Sequence, residues 1–225
     1  MSLEDQALQF ALAARLTSYP DPRFDHWVGQ LVQTGATGVP PGLIELAGVQ
    51  GGLDVARGEF LGLFDHGADR IPLYETEYGR MRGMSKGPEL ADLNGFYRAF
   101  GLDAADGDER ELADHLGVEL EFYAVLLARQ ALLNEAGDAE GSQIVEDARR
   151  TFLVEHLGRF APAIAQQKNV ADSALYGPVF AWARTLVEAQ CGALGAVPAP
   201  LDFHGLEPAP DEVCCAVAPP MPPKK

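Results

Sequence analysis

The 225-residue chain carries 17 basic against 33 acidic side chains, a net charge of −16, so nucleic-acid binding by phosphate neutralisation is disfavoured because the polyanion is repelled. The length suffices for one sizeable core, or for two small subdomains sharing a hinge. Cys191, Cys214 and Cys215 are an odd set with a vicinal pair, so no disulfide framework is implied.

In chain order the signal is helical almost throughout. Ser2 is placed to cap a first helix with Asp5 at its third position, and Ala7, Phe10, Ala11, Ala14 and Leu16 give that helix an apolar face. The acidic start lacks the basic region of a secretory signal, and no run of about 18 apolar residues follows, so a soluble, cytoplasmic protein is expected. Tyr19-Pro20-Asp21-Pro22 stops the first helix. A Gly- and Pro-rich loop from Gly35 to Gly42 separates a short second helix from a third around Leu53 to Phe64. Ile71 to Gly79 is a compact apolar-acidic segment leading into the glycine-spotted stretch Arg80 to Gly87, and a fourth helix is expected from about Glu89 to Phe100.

The acidic stretch from Asp103 to Glu109 is predicted to be a hinge between N- and C-terminal helical groups. A long central helix follows, with Asp108 and Glu111 as a capping pair. Leu112, Leu116, Leu120, Tyr123 and Leu127 recur at three- and four-residue spacing and form one stripe. His115 and Glu119 fall one turn apart at its edge, and Asp114 points away. Two more helices are predicted, near Ser142 to Gln167 and Ser173 to Leu194. Eight of the sixteen prolines lie between Pro198 and Pro223, so residues 197–225 are expected to be a disordered tail. The predicted fold is all-α: a single domain of six to eight helices over residues 1–196.

Charge is concentrated. Residues 103–121 hold eight acids against Arg110 alone. The helix macrodipole accounts for Asp108, Glu109 and Glu111, but not for Glu119 and Glu121, which lie well inside the helix beside Phe122 and Tyr123. Aromatic and acidic residues interleave at two places: Tyr74, Glu75 and Tyr78, and again Asp114, His115, Glu119 and Tyr123. Together these seven are the predicted peptide-binding surface, with a helix-capping role as the other reading of Asp114.

Catalytic motifs are weak by comparison. Gly79 to Gly87 lacks the strand context and the ending of a phosphate loop, and no nucleophile elbow occurs. His115 and Glu119 have chelating i, i+4 spacing with Asp114 nearby, which supports an alternative reading as a small all-α metal-dependent enzyme. A di-iron bundle needs Glu-x-x-His twice. The residues three before each histidine are Arg23, Leu63, Leu112, Leu153 and Leu201, so none qualifies. His156 reads as a helix-packing histidine, and Cys214-Cys215 lacks a partner pair at zinc spacing. The expectation is a binding protein with no catalytic residue, no metal and no cofactor.

Glu111-Leu112-Ala113-Asp114-His115-Leu116 followed by Glu119-Leu120-Glu121-Phe122 resembles the central motif of the TorD/DmsD/NarJ family, the dedicated maturation chaperones of molybdenum enzymes of the dimethyl sulfoxide reductase family. Phe152 to Leu157 and Tyr176 to Leu186 resemble that family's later helices. Leu73-Tyr74-Glu75-Thr76-Glu77-Tyr78-Gly79 is similar to the branch serving type II enzymes. The family's proline before the Asp-His pair is Ala113 here, which leaves the helix start open between Asp114 and a turn or two earlier, near Asp108.

The resemblance implies a protein that binds the immature catalytic subunit of its client and, in many cases, its twin-arginine signal peptide. Such a protein holds the client back from export until the molybdenum cofactor is inserted. Adjacent guanidinium groups followed by an apolar run call for an acidic cluster bordering a hydrophobic groove. A third reading is an adaptor subunit that stays in a finished redox complex. Monomer and homodimer are both compatible with the sequence.

Overall fold

The computed structural model describes residues 1–33, 44–45, 51–67, 69–79, 86–102 and 111–201, and their regular structure is helical throughout. Helix α1 (Leu3–Leu16) opens on a reciprocal cap: Ser2 Oγ accepts from the Asp5 N–H and the Asp5 carboxylate accepts from the Ser2 N–H, both at 3.1 Å. Its end is marked by Thr17 and Ser18, whose hydroxyls turn back to the carbonyls of Ala13 and Ala14, with Pro20 following.

Helix α5 (Leu116–Glu135) is the central rod. Leu116, Leu120, Phe122, Tyr123, Leu126 and Leu127 are all buried, so its apolar surface reaches well round the axis, as a helix enclosed by others requires. Helix α1 lies along it, with α2 (Phe24–Gln33) against α1. Gly117 permits the approach of α1, because a Cβ there would stand 3.2 Å from the Ala14 carbonyl and 2.3 Å from Ser18 Oγ. Helix α3 (Gly52–Phe64) packs Phe60 and Phe64 on Tyr176 and Phe180 of α9 (Tyr176–Leu194), and the Tyr176 hydroxyl donates to the Ala56 carbonyl at 3.0 Å. Helix α4 (Lys86–Ala99) sets Tyr97 on Phe122 and Phe96 on Phe152.

Helix α6 (Ala139–Phe152) passes through a π turn (Leu153–Leu157) directly into α7 (Gly158–Ala165), and the short α8 (Lys168–Ala171) precedes α9. Counting α6, the π turn and α7 as one rod gives eight among the described residues, within the expected six to eight. No helix among the described residues is long and apolar enough to cross a membrane.

The start of the central helix corrects the sequence expectation. It begins at Leu116, where His115 is the cap and its Nδ1 accepts the Gly117 N–H at 3.1 Å. Glu111 and Leu112 precede the helix, so Glu111 caps nothing there, and Leu112 is 47% exposed rather than part of the buried stripe. Nor is Asp114 the cap. The predicted hinge from Asp103 to Glu109, the loop from Gly35 to Gly42 and most of the Pro-rich tail lie outside the described residues.

Packing continues beyond the expected boundary at residue 196. The Ala199 carbonyl accepts from Arg159 Nε at 3.3 Å, and Leu201 is half-buried against the core beside Gly79. Truncation after Pro198 should therefore lower stability by about 1 kcal/mol relative to truncation after Leu201, through loss of one partly buried leucine and one hydrogen bond. Urea denaturation of the two truncated proteins checks this, with equal midpoints counting against docking of the segment.

Candidate functional site

An extended strap, residues 71–79, crosses the start of α5. It is tied to α3 by the Ile71 N–H donating to the Leu63 carbonyl at 2.8 Å. A two-bond antiparallel bridge ties it to α5: the Glu75 N–H donates to the Asp114 carbonyl and the Leu116 N–H to the Leu73 carbonyl, both at 2.9 Å. Glu75–Glu77 then form a 3₁₀ turn, and the Tyr78 hydroxyl folds back to the Pro72 carbonyl at 2.9 Å with its ring on Phe160.

Beneath the strap sit carboxyl groups with few partners. Asp114 Oδ2 accepts the Thr76 N–H at 3.2 Å and the Thr76 hydroxyl at 2.7 Å, whereas its buried Oδ1 has no hydrogen-bond partner. Asp114 thus anchors the strap, which explains its complete burial. One helical turn on, Glu119 is also fully buried and neither of its oxygens is hydrogen-bonded. Burial, then the neighbouring charges of Glu75 and Asp114, push its carboxyl well above the usual range, which favours the protonated form. Tyr97 closes the cluster from α4 by donating to the Ala113 carbonyl at 2.6 Å, its own acidity suppressed by burial and then by Glu119, Glu75 and Asp114.

His115 is buried against the edge of the Tyr74 ring. Burial pulls its pKa down, outweighing Glu111 and Asp114, and a neutral ring suits an Nδ1 that accepts the cap bond. Tyr74 is partly exposed and donates to Glu111 Oε2 at 2.5 Å, so this pair forms the rim of the cluster. Glu75 turns inward and bonds His156 Nδ1 at 2.9 Å, while His156 Nε2 faces Asp92 Oδ2 at 3.2 Å. Burial of His156 opposes its charge, but Glu75 and then Asp92 outweigh burial and raise its pKa.

The seven predicted residues therefore divide. Tyr74, Glu75, Asp114, His115 and Glu119 come together where the strap meets α5, and Tyr78 lies at the strap's far end. Tyr123 belongs to a separate buried network, in which Arg149 donates to its hydroxyl, to Gln130 and to Gln190. Burial pushes the Tyr123 hydroxyl up to about 12 against the opposing pull of Arg149. Six of the seven are buried and only Tyr74 is partly exposed, so the predicted acidic surface is an interior cluster here, because the strap's hydrogen bonds hold it down over the acids. Glu121, which the sequence grouped with Glu119, is exposed and paired with Arg15 at 2.7 Å.

His156 is more than a packing histidine, and its link to Glu75 escaped sequence reasoning. The partner is 81 residues away, so no local periodicity signals it. The alternative metal set of Asp114, His115 and Glu119 does not assemble either: among the described residues the donors that converge are those of Asp92, Glu155 and His156.

Residues 36–166, which include the strap, the acidic cluster and His156, match the model of a family described as nitrate reductase delta subunit. The chain is 36% identical over 190 residues to the chlorate reductase assembly chaperone protein of Ideonella dechloratans, covering 82% of this chain and 87% of that one. It is 32% identical over 197 residues to the selenate reductase assembly chaperone protein of Thauera selenatis, covering 85% and 91%. A shorter match, 36% over 80 residues, covers 36% of this chain and 34% of the perchlorate reductase assembly chaperone protein of Dechloromonas aromatica (strain RCB). With the family model spanning more than half of the chain and two relatives aligned along most of it, the chain belongs to the nitrate reductase delta subunit family, the TorD/DmsD/NarJ-type molybdoenzyme maturation chaperones.

Proposed function

We propose that this chain is a client-specific maturation chaperone. It binds the immature catalytic subunit of a molybdenum-containing reductase, together with that subunit's twin-arginine signal peptide, in the cytoplasm before export. The observation that carries this reading is similarity along more than four-fifths of the chain to two proteins named as assembly chaperones of chlorate and selenate reductase. Those names favour a client of the type II branch that reduces an oxyanion. The role is binding and release, without turnover.

The recognition residues are Tyr74, Glu75, Tyr78, Asp114, His115, Glu119 and Tyr123, arranged in depth. Tyr74 with Glu111 receives the peptide at the rim, and the strap lifts to admit guanidinium groups to Asp114 and Glu119. These two side chains leave carboxyl oxygens unpartnered in the interior, at a cost that a bidentate arginine would offset. Tyr78 seats the far end of the strap on Phe160, and Tyr123 steadies α5 from its separate network with Arg149.

Each guanidinium–carboxylate contact is worth about 1.5–3 kcal/mol, and at Glu119 the arriving cation would first displace the proton that burial favours. Asp114→Asn and Glu119→Gln should each weaken binding of the client's N-terminal peptide roughly tenfold or more and flatten its salt dependence, as calorimetry at low and high salt would record. Affinities equal to the parent's, with unchanged salt dependence, would remove the buried acids from recognition. The family's description as a subunit favours a second reading, a component that stays in the finished enzyme. Co-purification with immature but not mature client supports the chaperone, whereas recovery with mature enzyme supports the subunit.

A further inference from the structure

We propose that Asp92, Glu155 and His156 form a binding site for a divalent transition-metal cation of the Zn²⁺ or Co²⁺ class. The three residues each offer a donor atom, and these atoms lie within 4.8 Å of one another. The imidazole makes this more than a patch of surface acids. Its Nδ1 is 2.9 Å from Glu75 Oε2, and a carboxylate there can only accept, so Nδ1 carries hydrogen. Nε2 is then left to face a second carboxylate, Asp92, at 3.2 Å. In a neutral ring this Nε2 would turn a lone pair toward the carboxylate, so the contact calls for a cation, a proton or a metal ion, between them. A proton can bridge Nε2 to a single oxygen, whereas a metal ion would also use Glu155.

The supporting groups suit a ligand rather than a mobile surface histidine. Glu75, itself 6% exposed, holds Nδ1 from the interior in the carboxylate–histidine arrangement that orients metal-binding imidazoles. The rings of Phe96 and Phe152, with centroids 5.7 and 5.4 Å from the imidazole, flank it. Asp92 and Glu155 are exposed, so the mouth is open to solvent and their side chains can close on an ion. The 3.2 Å spacing between nitrogen and oxygen is close to the edge, roughly 3.3 Å, of a tetrahedron with bonds of about 2.0–2.1 Å. One imidazole and two carboxylates match borderline cations better than soft Cu(I) or hard Ca²⁺, with water completing the shell. An ion bound there ties α4 to the turn between α6 and α7, and through Glu75 to the strap.

The test uses untagged full-length protein, stripped with chelator and dialysed, then titrated with Co²⁺ by visible absorption and with Zn²⁺ by competition. One equivalent should bind. Affinity should fall at least tenfold in Asp92→Asn, Glu155→Gln and His156→Asn, and ten- to a hundredfold in Glu75→Gln through lost orientation alone. His66→Asn, which alters a different exposed Asp–His pair, should bind like the parent. Asp92 and Glu155 are exposed, so their variants remain informative if His156→Asn fails to fold. Absence of saturable one-to-one binding overturns the site, as does parent-like affinity in both Asp92→Asn and Glu155→Gln, or loss of binding in His66→Asn.

Discussion

Gly158→Ala should lower stability by about 3 kcal/mol, the upper end for forcing an extra group into a packed interior, and the melting temperature by roughly 6–12 °C for a chain of this size. Gly158 stands where the π turn passes into α7. A Cβ at this position would lie 2.2 Å from the Leu153 carbonyl oxygen and 2.7 Å from Pro198 Cγ. The first obstacle is backbone, and the Leu153 carbonyl is also the acceptor for the Gly158 N–H, so no rotamer change relieves it. The chain must unwind the π turn to clear Leu153 and also shift Pro198. Gly192→Ala is the matched control: it lies within α9 with nothing within 4 Å of its Cβ position, and alanine should stabilise it by about 0.5–1 kcal/mol. Thermal and urea unfolding of both variants decide the matter. A Gly158→Ala protein as stable as the parent would mean that the turn tolerates a side chain.

The π turn links this stability argument to the site. It carries His156 inward to Glu75 while leaving the neighbouring Glu155 exposed. Periodicity locates the helices on either side but gives no sign of such a turn, because the widened i→i+5 stretch is only five residues long, too short to set a period of its own. The first cap was legible for the opposite reason: Ser2 and Asp5 are three residues apart, and their chemistry is local. The same holds for α3, found where Leu53 to Phe64 was read as helical.

The start of the central helix was not legible. Acidic residues and Leu112 extend the helical pattern upstream, but the backbone between Asp114 and Leu116 is engaged by Glu75 and Leu73 of the strap, some 40 residues earlier. Those bonds hold residues just before α5 in extended geometry, and His115 becomes the cap by default. This is tertiary pairing overriding local propensity. It also inverts the reading of the site. The interleaving of acids and aromatics correctly singled out residues that meet, but sequence spacing carries no information about which side chains a strap will cover.

Glu119→Gln should stabilise the protein progressively as pH rises above the ordinary carboxyl value of 4.5. In the unfolded chain Glu119 ionises around its ordinary value of 4.5, whereas in the folded protein burial, then Glu75 and Asp114, keep it protonated well above that. Above pH 4.5 the unfolded state therefore binds fewer protons at this site than the folded state. The stability contributed by the protonated carboxyl is complete below the unfolded pKa and is lost as pH rises towards the folded one, at up to about 1.4 kcal/mol per pH unit. Glutamine has the same shape and no proton to lose, so it removes the slope. The groups facing this position are Glu75 from the strap, Asp114 ahead of α5 and Tyr97 from α4. They remain in both proteins, as does His115, whose lowered pKa weakens the fold only below its ordinary 6.5. Subtracting the parent's stability from the variant's at each pH isolates Glu119 to the extent that these neighbours titrate alike in both. Urea denaturation from pH 4.5 to 8.5 should give a difference near zero at the acidic end that grows in favour of glutamine. A difference that stays flat, or turns against glutamine at pH 8, would show that the buried carboxyl does not hold its proton and that the acids under the strap are balanced by a cation.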